Sequence, residues 1–494
     1  MQEKQNNNYL YPLLSVFNEQ ALNEEEKSLN LLIEEGCFYF ITEFLTKNSV
    51  KFQFVGFNRT LNEIAYKFKI VSLAKSKYFD CKNMANEVVK MLNEQFSERV
   101  EFSAKLVDEE DEQYVVFSSV KYHVQNPSFK DAIKACNPTD YAINATLCAD
   151  EYGNPCVISL SNKQLILVSA QEIKIKENTV FGALANICYN YSPSQIKFIF
   201  TGLPSEHAEY FEGCPHRLFK KNFSKLEQTY PCLQYVNQIV SERIELFKKG
   251  DYKDILAYNA VNEEKLPHLL LVIENYKNVT GFYGAYIKKI ERLIKNIVAL
   301  GSQAGVSIII TSQTGGDFFK VELRNVANLK FCFKTDSAWY SYMATSKEGA
   351  QHFKSDIQCL EVAKDSKPRT VLAYHFTIEQ LKFICDFLRE NNSSSFNEND
   401  YEQICYQAEK GELSNQNRSL NEEQTLLMEI MRIAFSTNVF TPPMLKGQFT
   451  IAFKLIEKAL QIAIDKNYLI CDDRGVCKLN MTAEQFEQIF GEKV

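Results

Sequence analysis

Charged and amide side chains follow three apolar runs in the middle of the chain. Lys174 and Lys176 follow L-I-L-V, Glu274 and Asn275 follow L-L-L-V-I, and Gln313 follows V-S-I-I-I-T. A lysine can supply a cation to phosphate oxygens, and a carboxylate can hold a divalent metal. These side chains are therefore candidates for a phosphate and metal site.

The segment after the first apolar run lacks the glycines of a phosphate-binding loop. Such a loop needs glycines so that backbone N–H groups can wrap the phosphates, a Lys for the β and γ oxygens, and a Ser or Thr for Mg²⁺. Residues 169–178 read S-A-Q-E-I-K-I-K-E-N, and no Gly occurs between Gly153 and Gly182. The chain contains no Gly-Lys dipeptide. Bulky side chains such as Ile173 should keep phosphates away from the backbone.

Asn275 cannot act as a general base, because an amide has no useful proton affinity near neutral pH. Two interpretations of the site remain open. In the first, Lys176 and Glu274 are the cation and the metal ligand of an unconventional nucleotide pocket. In the second, no residue is catalytic, Glu274 and Asn275 form a polar strand end, and Lys174 and Lys176 lie on a solvated face.

Residues 140–390 alternate between short apolar runs and helical stretches. The runs are Leu165–Val168, Ile196–Phe200, Leu269–Ile273, Val306–Thr311 and Leu329–Phe333. Continuous apolar strands separated by helices are typical of a parallel sheet that is covered on both faces. This pattern predicts a doubly wound α/β domain that carries the candidate site.

The flanking regions have other patterns. Residues 1–29 are polar, and residues 30–139 predict helix, strand, strand, helix, strand, strand, the order of a small α+β domain. Residues 391–420 are rich in Ser and Asn and predict a linker. Residues 421–494 predict three helices and a hairpin, the outline of a winged helix.

Composition excludes several classes of protein. The chain has 494 residues and a net charge of −7, which argues mildly against strong non-specific DNA binding. Its 14 cysteines form no C-x-x-C pair and do not cluster with its 6 histidines, so no metal site is expected. No apolar stretch is long enough to span a membrane. Scattered cysteines without a signal peptide predict reduced thiols and a cytoplasmic protein.

Several segments, taken in order, resemble the FtsK-type DNA translocases. They include Y-F-E-G-C-P-H-R-L at Tyr210–Leu218, L-P-H-L-L-L-V-I-E-N at Leu266–Asn275 and A-G-V-S-I-I-I-T-S-Q at Ala304–Gln313. The segment K-G-Q-F-T-I-A-F-K-L-I-E-K-A-L at Lys446–Leu460 is similar to the winged-helix γ domain of that family. The resemblance covers about residues 30–490 in the family's domain order.

The resemblance implies a RecA-like core, an N-terminal α+β domain and a C-terminal winged helix. It also implies a hexameric ring, duplex DNA as a partner, and ATP with Mg²⁺ as cofactors. Glu274 and Asn275 match the family's Asp-Glu pair, and Gln313 matches a retained Gln. The family's two arginines match Ser302 and Thr314, and the second-strand Asp-Pro-Lys also differs. Because several parts of the site are altered, we expect a pseudo-ATPase without a bound cofactor.

Four residues in the C-terminal segment are candidates for contact with DNA. They are Lys446, Gln448, Lys454 and Lys458, and the last two are four residues apart on one helix face. Residues 421–494 nevertheless hold 8 Lys and Arg against 10 Asp and Glu, a balance of −2. A winged helix kept for packing or protein contact therefore remains an alternative to DNA binding.

Three functions remain open from the sequence. The first is a non-hydrolysing DNA-binding or ring-forming scaffold, as a homo- or hetero-oligomer. The second is a divergent DNA-stimulated ATPase that translocates duplex DNA with an unconventional nucleotide pocket. The third is an interaction fold of another origin, because fold alone does not fix function.

Overall fold

The N-terminal part of the chain forms an α+β layer whose elements follow one another in the predicted order. The computed structural model describes residues 10–12, 24–61, 63–73, 80–96, 100–109, 112–121, 126–136, 142–162, 165–313, 319–364, 366–410, 422–437, 439–441, 444–445, 453–472 and 476–490. The first elements are α1 (Glu24–Lys47), β1 (Lys51–Arg59), β2 (Glu63–Ser72), α2 (Cys81–Phe96), β3 (Val100–Glu109) and β4 (Glu112–Lys121).

These four strands form one antiparallel sheet in the order β1-β2-β4-β3. Alternate residues of β2, namely Ile64, Tyr66 and Phe68, are buried in a cluster that also contains Ile41 of α1 and Val88 of α2. This alternation is expected of a sheet with one face against helices. The two helices therefore cover one face of the sheet.

The central part of the chain holds most of the elements and the larger sheet. Its strands are β5 (Asn144–Ala149), β6 (Pro155–Ser159), β7 (Leu165–Ala170), β8 (Ile196–Thr201), β9 (His268–Ile273), β10 (Val306–Gln313), β11 (Leu329–Phe333), β12 (Gln358–Ala363) and β13 (Arg369–Ala373). Its helices are α3 (Phe129–Ala135), α4 (Ile173–Asn190), α5 (Glu206–Glu209), α6 (Thr229–Lys249), α7 (Ile255–Val261), α8 (Tyr276–Tyr283), α9 (Ile287–Ala304), α10 (Val321–Val326), α11 (Ala338–Thr345), α12 (Ile378–Asn391) and α13 (Glu398–Lys410).

The larger sheet has nine strands in the order β6-β5-β13-β12-β11-β7-β10-β9-β8. The strands β7 to β11 contain the five predicted apolar runs and are parallel to one another. Every residue of β7, β8 and β9 is buried, as expected of strands covered on both faces.

The sheet also contains four strands that the predicted parallel sheet did not include. β12, β13, β5 and β6 add to the sheet in antiparallel pairs. Antiparallel neighbours can be joined by short turns and need no crossover helix, so the alternation of strands and helices does not reveal them. The fold is therefore a mixed α/β sheet with five parallel strands on one side and four antiparallel strands on the other, consistent with a RecA-like core.

The chain divides into two compact units after Cys405. The second unit contains α14 (Glu422–Thr437), β14 (Val439–Phe440), α15 (Phe453–Asp465), β15 (Leu469–Cys471), β16 (Cys477–Leu479) and α16 (Ala483–Phe490). Its strands pair in the order β14-β16-β15. Cys471 and Cys477 form a disulfide, whereas reduced thiols were expected throughout. The segment predicted as a linker contains α13, because its polar residues have the composition of an exposed helix.

No described helix combines the length and apolarity that are needed to cross a membrane.

Arg243 links α6 to the end of α9 and to the start of β9 through hydrogen bonds. The side chain lies on α6 and is 8% exposed. Its Nη1 donates to the carbonyl of Ala304 at the end of α9 (2.7 Å), and its Nη2 donates to the carbonyl of Pro267 before β9 (2.9 Å). Both carbonyls would lose a charged donor if the guanidinium were removed.

We expect Arg243→Met to lower the free energy of unfolding by about 3 kcal/mol, because two charge-assisted hydrogen bonds are lost and two carbonyls are left without a donor. Thermal and urea unfolding of the full chain would measure the loss. Glu245→Gln, on the exposed side of the same helix, is the matched control and should change stability by less than about 0.5 kcal/mol. Equal, small effects of the two variants would contradict the role of Arg243.

Candidate functional site

The candidate site lies at the carboxyl ends of β7, β9 and β10, the edge where parallel α/β sheets place ligands. β7 ends at Ala170 and α4 begins at Ile173, so only Gln171 and Glu172 connect them. Two residues cannot form a loop that wraps a phosphate chain. The missing glycines therefore correspond to a missing loop.

Lys176 lies in the first turn of α4 and is 2% exposed. Its Nζ donates a hydrogen bond to Oδ1 of Asn275 over 3.1 Å. The interpretation that both lysines lie on a solvated face is thus wrong for Lys176, because the short connection directs this side of the helix toward the end of β9. Lys174 is exposed, as that interpretation expected.

Glu274 directly follows β9 and is 4% exposed. Its Oε2 accepts a hydrogen bond from the backbone N–H of Ser205. Burial raises the pKa of this carboxyl to about 7, against the opposing effects of the Ser205 hydrogen bond and the Lys176 ammonium. Burial likewise lowers the pKa of Lys176, while Glu177 and Glu274 oppose that change.

Asn275 has a left-handed backbone, with φ at 52°. Asparagine tolerates this conformation better than most residues, which explains an amide at a strand-to-helix corner. The backbone N–H of Asn275 donates to Oγ1 of Thr311 on β10 over 3.2 Å. The corner therefore holds the Asn275 side chain against the Lys176 ammonium.

The space between these side chains is small. It has a volume of about 10 Å³, the room that one water molecule needs. Pockets for small molecules usually have volumes of roughly 300–1,000 Å³. The lining residues are Lys176, Glu177, Val180, Phe181, Glu274, Asn275 and Thr311. The arrangement as it stands can hold a proton or a water molecule, but it has no room for a triphosphate.

Three residues of this site, Ser205, His207 and Thr311, were not identified from the sequence. Glu177 pairs with His207 across 3.1 Å, Ser205 binds Glu274, and Thr311 binds the backbone of Asn275. Ser205 and His207 come from the segment after β8, which carried no motif of its own. Thr311 was visible only as the end of an apolar run.

Gln313 lies apart from the Lys176 cluster. The side chain is exposed, and its Nε2 donates to the carbonyl of Gln171 over 3.4 Å. Gln171 in turn donates to the Asp336 carboxylate, so these three residues link the ends of β10, β7 and β11. Ser302 is exposed on α9, and Thr314 lies outside the described residues.

The predicted DNA contacts are only partly described. Lys446 and Gln448 lie outside the described residues. Lys454 and Lys458 belong to α15, but their side chains also lie outside the described part of the chain. Within the described residues, no three His, Cys, Asp or Glu side chains are grouped as a metal site.

Comparison with known proteins finds similarity along most of the chain. The DNA translocase FtsK of Staphylococcus epidermidis is 19% identical over 363 residues, which cover 70% of this chain and 43% of the relative. The DNA translocase FtsK of Caldanaerobacter subterraneus subsp. tengcongensis is 22% identical over 353 residues, which cover 70% of this chain and 47% of the relative. The resemblance to FtsK-type DNA translocases is confirmed.

The chain spans less than half the length of these FtsK relatives. No protein-family model matches it. Among solved structures, the pCW3 conjugation coupling protein TcpA in its monomer form with ATPγS has a TM-score of 0.47 and 13% identity, covering 72% of this chain and 99% of that chain. EssC (ATPases 2 and 3) from Geobacillus thermodenitrificans has a TM-score of 0.42 and 14% identity, covering 53% of each chain.

Glu274→Gln should remove the part of the pH dependence of stability that comes from titration of the Glu274 carboxyl. The folded carboxyl binds its proton with a pKa of about 7, and the unfolded one has the ordinary value of 4.5. The stability that this group contributes is therefore full below about pH 4.5 and is lost as the pH rises to about 7. As the pH rises between these values, the free energy of unfolding of the variant should increase by about 3 kcal/mol relative to that of the unmodified chain.

Urea unfolding at several pH values would measure this difference, with Glu245→Gln as the exposed control. A difference between Glu274→Gln and the unmodified chain that stays constant with pH would show that Glu274 titrates like an exposed carboxyl.

Proposed function

We propose that the chain is a non-hydrolysing relative of the FtsK-type translocases that acts as a DNA-binding or ring-forming scaffold or partner subunit. The observation that carries this proposal is the buried Lys176, whose ammonium lies against Asn275 beside Glu274. This side chain occupies the edge of the sheet where a bound nucleotide would place its phosphates and metal.

The buried side chains of Glu274 and Lys176 have hydrogen-bond partners within the chain and need no ligand. Glu274 accepts the Ser205 N–H, and Lys176 donates to Asn275. A nucleotide would have to displace the ammonium and leave buried polar groups without partners, which costs several kcal/mol. It would also find no loop of backbone N–H groups. These obstacles support loss of nucleotide binding as well as loss of hydrolysis.

The remaining features of the proposal come from the resemblance. They are a RecA-like core, a winged helix in residues 421–494, assembly into a homo- or hetero-oligomeric ring, and contact with duplex DNA. The two named relatives are DNA translocases, which supports DNA as a partner of this chain as well. A cytoplasmic location is supported by the 12 free cysteines.

A divergent DNA-stimulated ATPase is the second candidate function. It is favoured by the fact that Lys176 and Glu274, the cation and metal ligand that it requires, do lie together at the end of β9. It would need Lys176 to leave its buried position and a metal to replace it. The two candidates therefore differ in whether ATP and Mg²⁺ bind at all.

Nucleotide binding can be measured by thermal unfolding and calorimetric titration with ATP and Mg²⁺. A ligand present at 100 times its Kd stabilises a protein by about 2.7 kcal/mol, which corresponds to several degrees in Tm. We expect a shift below about 1 °C and no heat of binding, because Lys176 fills the site. ATP hydrolysis that depends on duplex DNA and is abolished by Lys176→Ala would establish the second candidate instead.

Assembly can be examined by negative-stain imaging with and without duplex DNA and ATP. A scaffold that needs no nucleotide should form the same rings whether or not ATP is present, because its site is already filled. Rings that form only with ATP would contradict the proposal, and monomers under every condition would remove its ring-forming part.

A further inference from the structure

Helix α9 presents a cationic face. Lys288, Lys289 and Arg292 are exposed, and Lys295 is half-buried. At 3.6 residues per turn, these four side chains fall within an arc of about 120° on the helix. We call this group the α9 cationic face.

None of these four cations forms an ion pair in the described part of the chain, although Lys295 interacts electrostatically with Glu291 on the same helix. No described carboxylate lies within 4.0 Å of any of the four, whereas the exposed Lys47 and Lys354 form such pairs. The neighbouring helix α6 has no charged residue from position 229 to position 241. The one acid of α9, Glu291, is 7% exposed and receives a hydrogen bond from Tyr276.

The position of the α9 cationic face costs stability. Lys288 and Lys289 lie in the first turn of α9, which has no acidic residue. Cations near the positive end of a helix dipole destabilise the helix. Mutual repulsion of the four cations adds to this cost. An external polyanion would reverse both effects.

The composition of the face favours a nucleic-acid backbone over a protein. Protein interfaces depend on a few apolar or aromatic anchors, and the cationic half of α9 exposes none. The nearest exposed apolar side chain of α9 is Leu300, more than one turn beyond Lys295. Lys289 lies 4.7 Å from the ring of Tyr286, so this ring is already covered and offers no free stacking platform for an unpaired base.

We propose that the α9 cationic face binds the phosphate backbone of a nucleic-acid duplex without sequence preference. This inference rests on the DNA-binding part of the proposed function and adds a contact surface outside the C-terminal unit. Four ammonium and guanidinium groups contact up to four phosphates, and release of counterions from the duplex drives binding.

The test is fluorescence anisotropy of a labelled 30-base-pair duplex with the full chain at several salt concentrations. The quadruple variant Lys288→Gln, Lys289→Gln, Arg292→Gln and Lys295→Gln should bind at least about 100-fold more weakly at 0.1 M salt. Its plot of log affinity against log salt should be less steep by roughly 3 to 4. Its Tm should not fall, because the helix dipole is relieved.

The matched control removes four exposed lysines elsewhere, Lys248, Lys249, Lys253 and Lys347, so that the net charge changes equally. This control should keep the slope of the unmodified chain. A second duplex of unrelated sequence should bind with the same affinity, because backbone contacts carry no base information.

Three outcomes would overturn the inference. An equal loss of affinity in both quadruple variants would show a general charge effect. Unchanged binding by the α9 variant, with loss in Lys454→Gln and Lys458→Gln, would leave DNA binding in place but assign it to the C-terminal unit. Displacement of the duplex by poly-glutamate at the same concentration of negative charge would indicate that the α9 cationic face binds an acidic protein. Failure of the proposed function is distinguishable, because an unmodified chain that binds no duplex at any salt concentration would remove DNA binding altogether, whereas the three outcomes above leave its duplex binding in place.

Discussion

The buried contact between the Lys176 ammonium and the Asn275 amide is the constraint on which the candidate site depends. Removing a charge from water costs several kcal/mol unless nearby groups replace the lost hydration. Asn275 supplies an acceptor at 3.1 Å, and Glu274 supplies a carboxylate in the same small space. Glu274 itself is held by the Ser205 N–H. Removing any one of these groups would leave a buried partner without a hydrogen bond, so the groups depend on one another.

The fold explains why these residues meet. Parallel strands bring their carboxyl ends to one edge of the sheet, and β7 lies between β10 and β11 at the centre of it. The helix that follows β7 starts after only two residues, so its first turn lies directly over the end of β9. A longer loop would have left space there for a ligand. The same topology that can build a nucleotide site therefore closes it when the loop is lost.

Much of the central fold could be predicted from the sequence, because β7 to β11 are continuous apolar runs separated by helices. The antiparallel strands β12, β13, β5 and β6 were not predicted, since short connections leave no helical signal. The missing glycines predicted the missing loop. The burial of Lys176 could not be predicted, because a lysine in the first turn of a helix is usually solvated and its partner lies 99 positions away. The contribution of Ser205 could not be predicted either, because it comes from a backbone N–H group, which every residue except proline has.

Lys176 and the α9 cationic face differ in how their positive charge is compensated. This difference distinguishes the closed candidate site from the proposed contact surface. At Lys176 the chain supplies its own acceptors and carboxylate, so an external anion gains little there and must displace what is present. On α9, Lys288 and Lys289 lie in solvent at the unfavourable end of the helix, and the one acid of that helix is turned inward to Tyr276. Binding energy is available only where the unbound state leaves charges uncompensated. A protein that had lost nucleotide turnover but kept contact with a polyanion would retain exposed cations such as those on α9. It would have no need for an open site at Lys176.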